Sequence, residues 1–141
     1  DNGDEQIITI PNLLQFHKLE IEHLNYRSLL DIEGFQIVHG WLTGANVAKR
    51  MYQHMLSSGA SGHTHTLGQY HTSGANGDHA WYELGCLCRL DPDWTKSSYP
   101  GWTQGFLYAE VYNHKLHCRL VPVYSDGFFA EGKFYARKEP K

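Results

Sequence analysis

The feature that most limits the fold of this chain is a pair of short runs on either side of an amphipathic segment, each run ending in histidine. Residues 35 to 38 form the first run and precede His39, and the second run ends at Gly62-His63-Thr64-His65. Residues 46 to 58 separate the runs, and apolar side chains recur there at i, i+4 and i+8, as on one face of a helix: Val47, Met51 and Met55. The pattern predicts strand, helix and strand, with histidines at the carboxyl ends of both strands, where open α/β sheets build their ligand sites.

The two histidines of the second run stand at alternate positions. In extended backbone, the imidazoles of His63 and His65 would project from one side while Thr64 faces the other. Gly62 lets the backbone turn where the strand ends. Histidine is the commonest metal-binding side chain, so His39, His63 and His65 are candidate metal ligands. In isolation the Gly-His-X-His motif fits a pair of exposed loop histidines equally well, and the third histidine favours the metal site.

Five motifs give the chain a family resemblance. They are Val38-His39-Gly40, Gly62-His63-Thr64-His65, Trp81-Tyr82-Glu83-Leu84-Gly85-Cys86-Leu87-Cys88, Trp102-Thr103-Gln104-Gly105-Phe106 and Glu131-Gly132-Lys133-Phe134-Tyr135. In these motifs the chain resembles the calcineurin-like metallophosphoesterases, and the later segments are similar to phage and bacterial members of that family. The resemblance extends over about residues 33 to 136 and is weaker over residues 10 to 32.

This resemblance implies both a fold and a reaction. The fold would be an α/β (α+β) chain forming the C-terminal half of a four-layer αββα sandwich, with the strand-helix-strand unit followed by an antiparallel meander. The reaction would be two-metal hydrolysis of a phosphomonoester or phosphodiester. His39 and His63 would bind one ion and His65 the other. A nitrogen-rich ligand set suits Mn²⁺, Fe²⁺ or Fe³⁺, Zn²⁺ or Ni²⁺.

The chain departs from the family in its N-terminal part. Metallophosphoesterases of this type also carry Asp-X-His, Gly-Asp-X-X-Asp and Gly-Asn-His-Asp/Glu elements, and this sequence contains none of them. We therefore expect the bridging carboxylate and the catalytic histidine upstream of Asp1, and weak or no hydrolysis by this chain alone. Within the chain, His71 is a candidate catalytic or substrate-contacting residue, with an exposed loop position as its alternative. Weaker candidates are Gln69, Asp78 and His79.

Two functions from different classes stay open at this point. One is a metal-dependent phosphoester hydrolase whose substrate is a nucleotide, a nucleic acid end or another phosphoester, completed by a missing N-terminal half or by a homo-oligomer. The other is a non-catalytic module that binds a metal ion or phosphate. Half of a sandwich would expose apolar surface, so we expect the chain by itself to associate.

Composition and charge fit one domain over residues 1 to 141. A hydrophobic content of 41% is enough for a single core. The net charge of −3 gives no broad attraction for nucleic acid. No apolar run approaches the roughly 18 residues of a membrane span, so we expect no membrane partner and a cytoplasmic location.

The three cysteines, Cys86, Cys88 and Cys118, are an odd number, which favours a reducing compartment. Cys86 and Cys88 would share one face of a strand. We prefer buried packing of these thiols to a zinc site, because Cys-X-Cys lacks the two-residue gap of common zinc motifs and free cysteine is usually buried.

The rest of the chain is interpreted as framework. Asn46 is expected to cap the helix and Gly59 to follow its last turn. Residues 60 to 105 are expected to be mostly active-site loop around one short strand near Trp81. Residues 13 to 21 suit a short amphipathic helix or turn. Three later runs alternate in polarity and predict a three-strand meander: residues 106 to 112, 116 to 124 and 128 to 135.

Overall fold

The structure is a computed structural model that describes residues 10–25, 27–94 and 100–138. Helices and strands both occur in this part of the chain, and strands predominate, so the chain belongs to the mixed α and β class. In chain order the elements are α1 (Ile10–Leu13), a 3₁₀ helix (Phe16–Lys18), β1 (Leu30–Ile32), β2 (Phe35–Val38), α2 (Val47–Met55), β3 (Gly59–Ser61), β4 (Leu67–Gly74), β5 (Gly77–Leu84), β6 (Gly105–Tyr112), β7 (Lys115–Pro122), β8 (Gly127–Ala130) and β9 (Lys133–Ala136).

Five strands form a central sheet in the order β1-β2-β3-β5-β4. β2, β3 and β5 are parallel, while β1 and β4 close the two edges as antiparallel partners. α2 connects β2 to β3, which confirms the predicted strand, helix and strand. The parallel arrangement places the carboxyl ends of β2, β3 and β5 along one edge of the sheet, and we call this the carboxyl edge.

α2 packs on one face of the central sheet because its apolar residues lie on one side of the helix. The buried cluster on this face comprises Val47, Ala48, Met51 and Trp81. Burial of a large apolar side chain of this kind stabilises the fold by about 1.5–3 kcal/mol. The indole N–H of Trp81 donates a hydrogen bond to Ser61 Oγ at 3.0 Å, so the buried ring keeps a polar partner.

The start of α2 differs from the expected capping. Asn46 precedes the helix, as predicted, but it has a left-handed backbone with φ of 56°, and its side chain makes no capping hydrogen bond. The carboxylate of Glu83 accepts a hydrogen bond from the Ala48 N–H at 3.1 Å instead. A side chain from β5 therefore satisfies a donor that we assigned to Asn46.

The end of α2 also differs, because Leu56 ends the helix with a left-handed φ of 51°. The prediction for Gly59 is wrong, since this residue begins β3. Glycine is needed there for packing. A Cβ at this position would meet the Gln36 carbonyl oxygen and would lie 2.5 Å from the Trp81 ring. The glycine allows the indole to cross over the β3 backbone.

The opposite face of the central sheet packs against the β6-β7 sheet. Phe35, Ala60 and Tyr82 are the buried residues on this side. They contact partly buried residues of the second sheet: Leu107, Leu116, Cys118 and Leu120. Side chains alternate along β5, so Trp81 faces the helix and Tyr82 faces the second sheet. The described residues thus form three layers in the order helix, sheet, sheet.

β4 and β5 form a hairpin in which Leu67 pairs with Leu84 and Gly74 with Gly77. The prediction that residues 60 to 105 are mostly loop around one short strand is wrong over this hairpin. The sequence signal is Asn76-Gly77, and the turn itself is Ala75-Asn76, after which Gly77 begins β5 with φ of 97°. Asparagine-glycine between alternating runs is typical of a tight hairpin.

The expected three-strand meander is wrong because the last run folds back on itself. β6 and β7 pair through the predicted turn at Asn113-His114. β8 and β9, however, form a separate two-stranded sheet. Glu131 and Gly132 join them with φ of 51° and 72°. Left-handed values at both central residues are what a type I′ turn requires.

The first described segment contains α1 and the 3₁₀ helix, in agreement with the expected short helix or turn. Leu13 and Leu19 are exposed over 65% and 62% of their surface, so this segment adds little to the core. No helix within the described ranges is long and apolar enough to cross a membrane.

Candidate metal centre

Three strand exits lie side by side at the carboxyl edge. β2 continues into His39-Gly40, β3 into Gly62-His63 and β5 into Gly85-Cys86. Gly40 and Gly85 have φ of 93° and 69°, which side chains rarely adopt. The chain can therefore turn sharply as β2 and β5 end, and a histidine or cysteine lies at each of the three exits.

His39 and His63 meet at this edge. The distance between His39 Nε2 and His63 Nδ1 is 3.2 Å, and the ring centroids are 5.2 Å apart with an interplanar angle of 68°. Gly40 permits this approach, because a Cβ there would lie 3.1 Å from the Ser61 Cβ and 3.5 Å from the His63 Cβ. The structure thus brings two of the three predicted ligands into contact.

The separation of these two nitrogens fits a shared metal ion. Metal–nitrogen bonds of about 2.0–2.1 Å place two ligands of one ion roughly 2.9–3.4 Å apart at octahedral or tetrahedral angles. His39 is exposed and His63 is half-buried, so solvent reaches the pair. Without an ion, the same distance suits an N–H···N hydrogen bond between the rings.

His65 lies in a different immediate environment. Its ring packs edge-on against Trp102 with a centroid distance of 4.3 Å, and its Nδ1 is buried without a hydrogen-bond partner. Its carbonyl accepts a hydrogen bond from the Thr103 N–H at 2.8 Å. The prediction that His63 and His65 lie in extended backbone is wrong, because β3 ends at Ser61, and the two residues have φ of 70° and 57°.

Glu83 is a buried carboxylate beside the histidine loop, and no pattern in the sequence marks it as a site residue. It is 7% exposed. Its Oε1 accepts hydrogen bonds from Thr64 Oγ1 at 2.9 Å and Thr66 Oγ1 at 3.3 Å, and its Oε2 accepts one from the Ala48 N–H. A carboxylate is stabilised at a helix N-terminus. Glu83 therefore ties the loop that carries His63 and His65 to α2.

Cys86 and Cys88 lie next to His65. One ring nitrogen of His65 and the two sulfur atoms are all within 4.8 Å of one another. Among the described residues, these three side chains form a group that could hold a metal ion. Burial, followed by the hydrogen bond with Cys88, raises the pKa of the Cys86 thiol. The expectation of buried packing is wrong for Cys88, which is exposed. Cys118 is half-buried and packs beneath the central sheet.

The structure does not bring the remaining candidates to the strand exits. His71 lies in the middle of β4 opposite Ala80, and its ring is 5.7 Å from that of Tyr82. At about 3.3 Å per residue, it is roughly 13 Å along the strand from Leu67, where β4 begins. Asp78 and His79 lie at the amino end of β5, and Gln69 is an exposed residue of β4.

Comparison of this chain with protein-family models, with curated proteins and with solved structures gave no match. The resemblance to metallophosphoesterases therefore rests on the sequence motifs, and the side chains at the carboxyl edge are the basis for assigning a function.

Proposed function

We propose that this chain provides the histidine ligands of a dinuclear metal centre in a calcineurin-like metallophosphoesterase. The enzyme would hydrolyse a phosphomonoester or a phosphodiester. The observation that carries the proposal is the 3.2 Å approach of His39 Nε2 to His63 Nδ1 where two parallel strands end. These two residues would hold one ion, and His65 would hold the second.

The donor atoms limit which metals fit. Imidazole nitrogens combined with oxygen bridges suit Mn²⁺, Fe²⁺ or Fe³⁺, Zn²⁺ and Ni²⁺, and geometry rather than raw affinity selects among them. When bound, two such ions would supply a nucleophilic water near neutral pH and neutralise charge on the phosphoryl oxygens. The role of this chain is to position three imidazoles for them.

The proposal requires anionic ligands from elsewhere, because three neutral imidazoles do not offset two divalent charges. Glu83 does not provide one, since its oxygens already accept hydrogen bonds from Thr64, Thr66 and the Ala48 N–H. A bridging carboxylate from an N-terminal half of the enzyme, or from a second copy of the chain, would complete the centre.

A cavity of about 540 Å³ beside the histidine pair supports a phosphoester substrate. Its lining includes Arg27, Ser28, His39 and Trp41. A guanidinium group binds two phosphate oxygens at once, and an exposed indole offers a surface on which a base can stack. A nucleotide or the end of a nucleic acid is the substrate class that matches these side chains.

We further propose that the three described layers belong to a four-layer αββα sandwich. The support is the observed order of helix, central sheet and β6-β7 sheet, which would be three of the four layers. An N-terminal half or a second copy of the chain would supply the fourth layer and cover the apolar opening of about 640 Å³ between the two sheets, which has Phe35, Ile37, Leu107 and Leu116 in its lining. A monomer in sedimentation velocity, at concentrations well above those of the assay, would contradict the need for such a partner.

The alternative is a module that binds a metal ion or phosphate without catalysis. One observation favours it. Such a module would use the His39–His63 pair, whose ring nitrogens lie 3.2 Å apart. A single ion held by imidazoles, with phosphate as its remaining ligand, would need no further residues.

Reconstitution distinguishes the two functions. Turnover of p-nitrophenyl phosphate and bis-p-nitrophenyl phosphate with Mn²⁺ is measured for the chain alone and with a polypeptide that carries the acidic and Gly-Asn-His motifs. We expect the chain alone to be slower by about three orders of magnitude or more, because loss of one ion removes several kcal/mol of transition-state stabilisation. His63→Ala should abolish tight Mn²⁺ binding and reconstituted turnover.

His114→Ala is the control, since His114 is an exposed histidine on the β6-β7 turn. Equal loss of metal binding in both variants would indicate non-specific chelation and overturn the proposal. Metal binding that depends on His63, without turnover in any combination, would favour the non-catalytic module. Strong turnover by the chain alone would show that it needs no second polypeptide.

A further inference from the structure

We propose that His65, Cys86 and Cys88 form a zinc site that is distinct from the His39–His63 pair. This inference does not rest on the phosphoesterase function, and it competes with that function for His65. The donor atoms of these three residues lie within 4.8 Å of one another. In tetrahedral zinc sites, bonds of about 2.0–2.3 Å to nitrogen and sulfur separate the donor atoms by roughly 3.5–3.8 Å. Small side-chain rotations therefore suffice to close the site.

The shielded Nδ1 atom of His65, a half-buried residue, is an independent observation in favour of a ligand. Its Nδ1 has no hydrogen-bond partner although it is shielded from solvent. Buried ring nitrogens in proteins are nearly always satisfied by a donor, an acceptor or a metal ion. Trp102 packs edge-on against the same ring and fixes its orientation. The unsatisfied nitrogen and the fixed ring are what a preformed ligand would show before its ion binds.

Main-chain hydrogen bonds hold the three ligands on one frame. Thr103 bridges two of them, because its N–H donates to the His65 carbonyl at 2.8 Å and its carbonyl accepts from the Cys86 N–H at 3.1 Å. The Gln104 side chain donates to the Cys88 carbonyl at 2.7 Å. Thr103 and Gln104 thus hold the backbone of His65 close to the backbones of Cys86 and Cys88, which are distant from it in sequence.

Gly85 allows the cysteine segment to come this close. It has φ of 69°, and a Cβ there would lie 2.7 Å from the Thr103 carbonyl oxygen and 3.0 Å from the Leu67 side chain. The turn at Gly85 directs Cys86 towards His65. Cys88 is exposed, so an ion can enter from solvent and a water molecule or substrate atom can take the fourth position.

Thiolate ligands select the metal. Two sulfurs and one imidazole suit Zn²⁺, whereas Mn²⁺ prefers oxygen ligands. The His39–His63 pair offers nitrogen donors and no sulfur donor. The two positions at the carboxyl edge should therefore differ in metal preference, and cobalt can distinguish them because it reports sulfur ligation directly.

The test is a Co²⁺ titration of the full chain under a non-thiol reductant, followed by displacement with Zn²⁺. We expect a near-ultraviolet thiolate-to-cobalt charge-transfer band that disappears when Zn²⁺ is added. Cys86→Ser and Cys88→Ser should each weaken zinc binding by at least about tenfold, since loss of residues that only support a ligand already costs 10- to 100-fold. His65→Ala should weaken binding similarly.

Cys118→Ser is the matched control and should keep the band, because Cys118 lies on β7. His63→Ala should also keep it while losing the metal bound without sulfur, which separates this site from the proposed phosphoesterase centre. Circular dichroism checks that each variant is folded. Absence of the band in the reduced wild-type chain, or a band that survives in Cys86→Ser and Cys88→Ser, would overturn the proposal.

Discussion

His39 Nε2 and His63 Nδ1 lie 3.2 Å apart although 24 positions of the chain separate the two residues. α2 fills the interval, and β3 returns parallel to β2 with Val38 aligned to Ser61. Strand register and the close approach of two strand exits therefore set the distance between the nitrogens. Substitutions that disturb the strand register or the approach of the two exits should weaken metal binding even when both histidines are kept.

Gly40→Ala should weaken binding of the first ion by about tenfold or more, as is usual when residues that orient a ligand are changed. Its Cβ would lie 3.1 Å from the Ser61 Cβ and would push on the end of β3, which leads to His63, and so separate the two imidazoles. Gly44→Ala is the control, because Gly44 has a similar φ of 90° but nothing within 4 Å of its added Cβ. Isothermal titration with Mn²⁺ compares them. Equal losses in the two variants would assign the effect to backbone strain alone.

Glu83→Ala should lower the free energy of unfolding by roughly 1–3 kcal/mol, because it leaves the Ala48 N–H and the Thr64 hydroxyl without their acceptor. Metal affinity should fall as well, since the loop that carries His63 loses its tie to α2. Urea denaturation and metal titration measure the two effects. The exposed Glu22 provides a control substitution to alanine. Unchanged stability in Glu83→Ala would contradict the role assigned to this carboxylate.

Gly59→Ala should destabilise the fold by about 1–3 kcal/mol, as overpacking does in a well-packed core. The new methyl group would meet the Gln36 carbonyl oxygen and the Trp81 ring. Gly74→Ala serves as the comparison, because nothing lies within 4 Å of a Cβ at that position. Thermal unfolding followed by tryptophan fluorescence gives both values. Similar melting temperatures for the two variants would refute the packing argument.

Alkaline pH should weaken the attachment of the β8-β9 hairpin to β6. A hydrogen bond from the Tyr108 hydroxyl to Glu131 Oε1, 3.0 Å long, raises the pKa of Tyr108 to about 12. In the unfolded chain tyrosine titrates near pH 10. The folded chain therefore keeps a proton that the unfolded chain loses, and this stabilisation is complete below about pH 10 and lost as the pH rises through about 12.

Tyr108→Phe should remove this part of the pH dependence. Urea midpoints measured at several values between about pH 9 and pH 12 should fall less steeply for Tyr108→Phe than for the wild-type chain. Tyr112→Phe is the control, because Tyr112 is 67% exposed. Parallel curves for wild type and Tyr108→Phe would show that the hydrogen bond does not affect stability.

The elements that the sequence predicted correctly depend on short-range patterns. The helix between β2 and β3 follows from the spacing of Val47, Met51 and Met55, and the β6-β7 turn follows from Asn113-His114. The missed hairpins were also local. Their signals, Asn76-Gly77 and Glu131-Gly132, are pairs of neighbouring residues that end in glycine.

The relationships that the sequence could not show depend on contacts between distant segments. Gly59 was assigned to the end of a helix because the Trp81 ring that requires it arrives from another strand. The association of Cys86 with His65 requires both the β3-β5 pairing and the bridge between Cys86 and Gln104. Residue spacing contains no information on either pairing.

The strand topology has a consequence for the order of folding. Four pairings, β1-β2, β4-β5, β6-β7 and β8-β9, join strands that are neighbours in sequence, and such hairpins form within microseconds. The parallel pairings of β3 with β2 and with β5 require closure of long loops and are slower. The carboxyl edge exists only when both parallel pairings are in place. We therefore expect the ability to bind metal to appear in the last kinetic phase of refolding, after most of the secondary structure has formed.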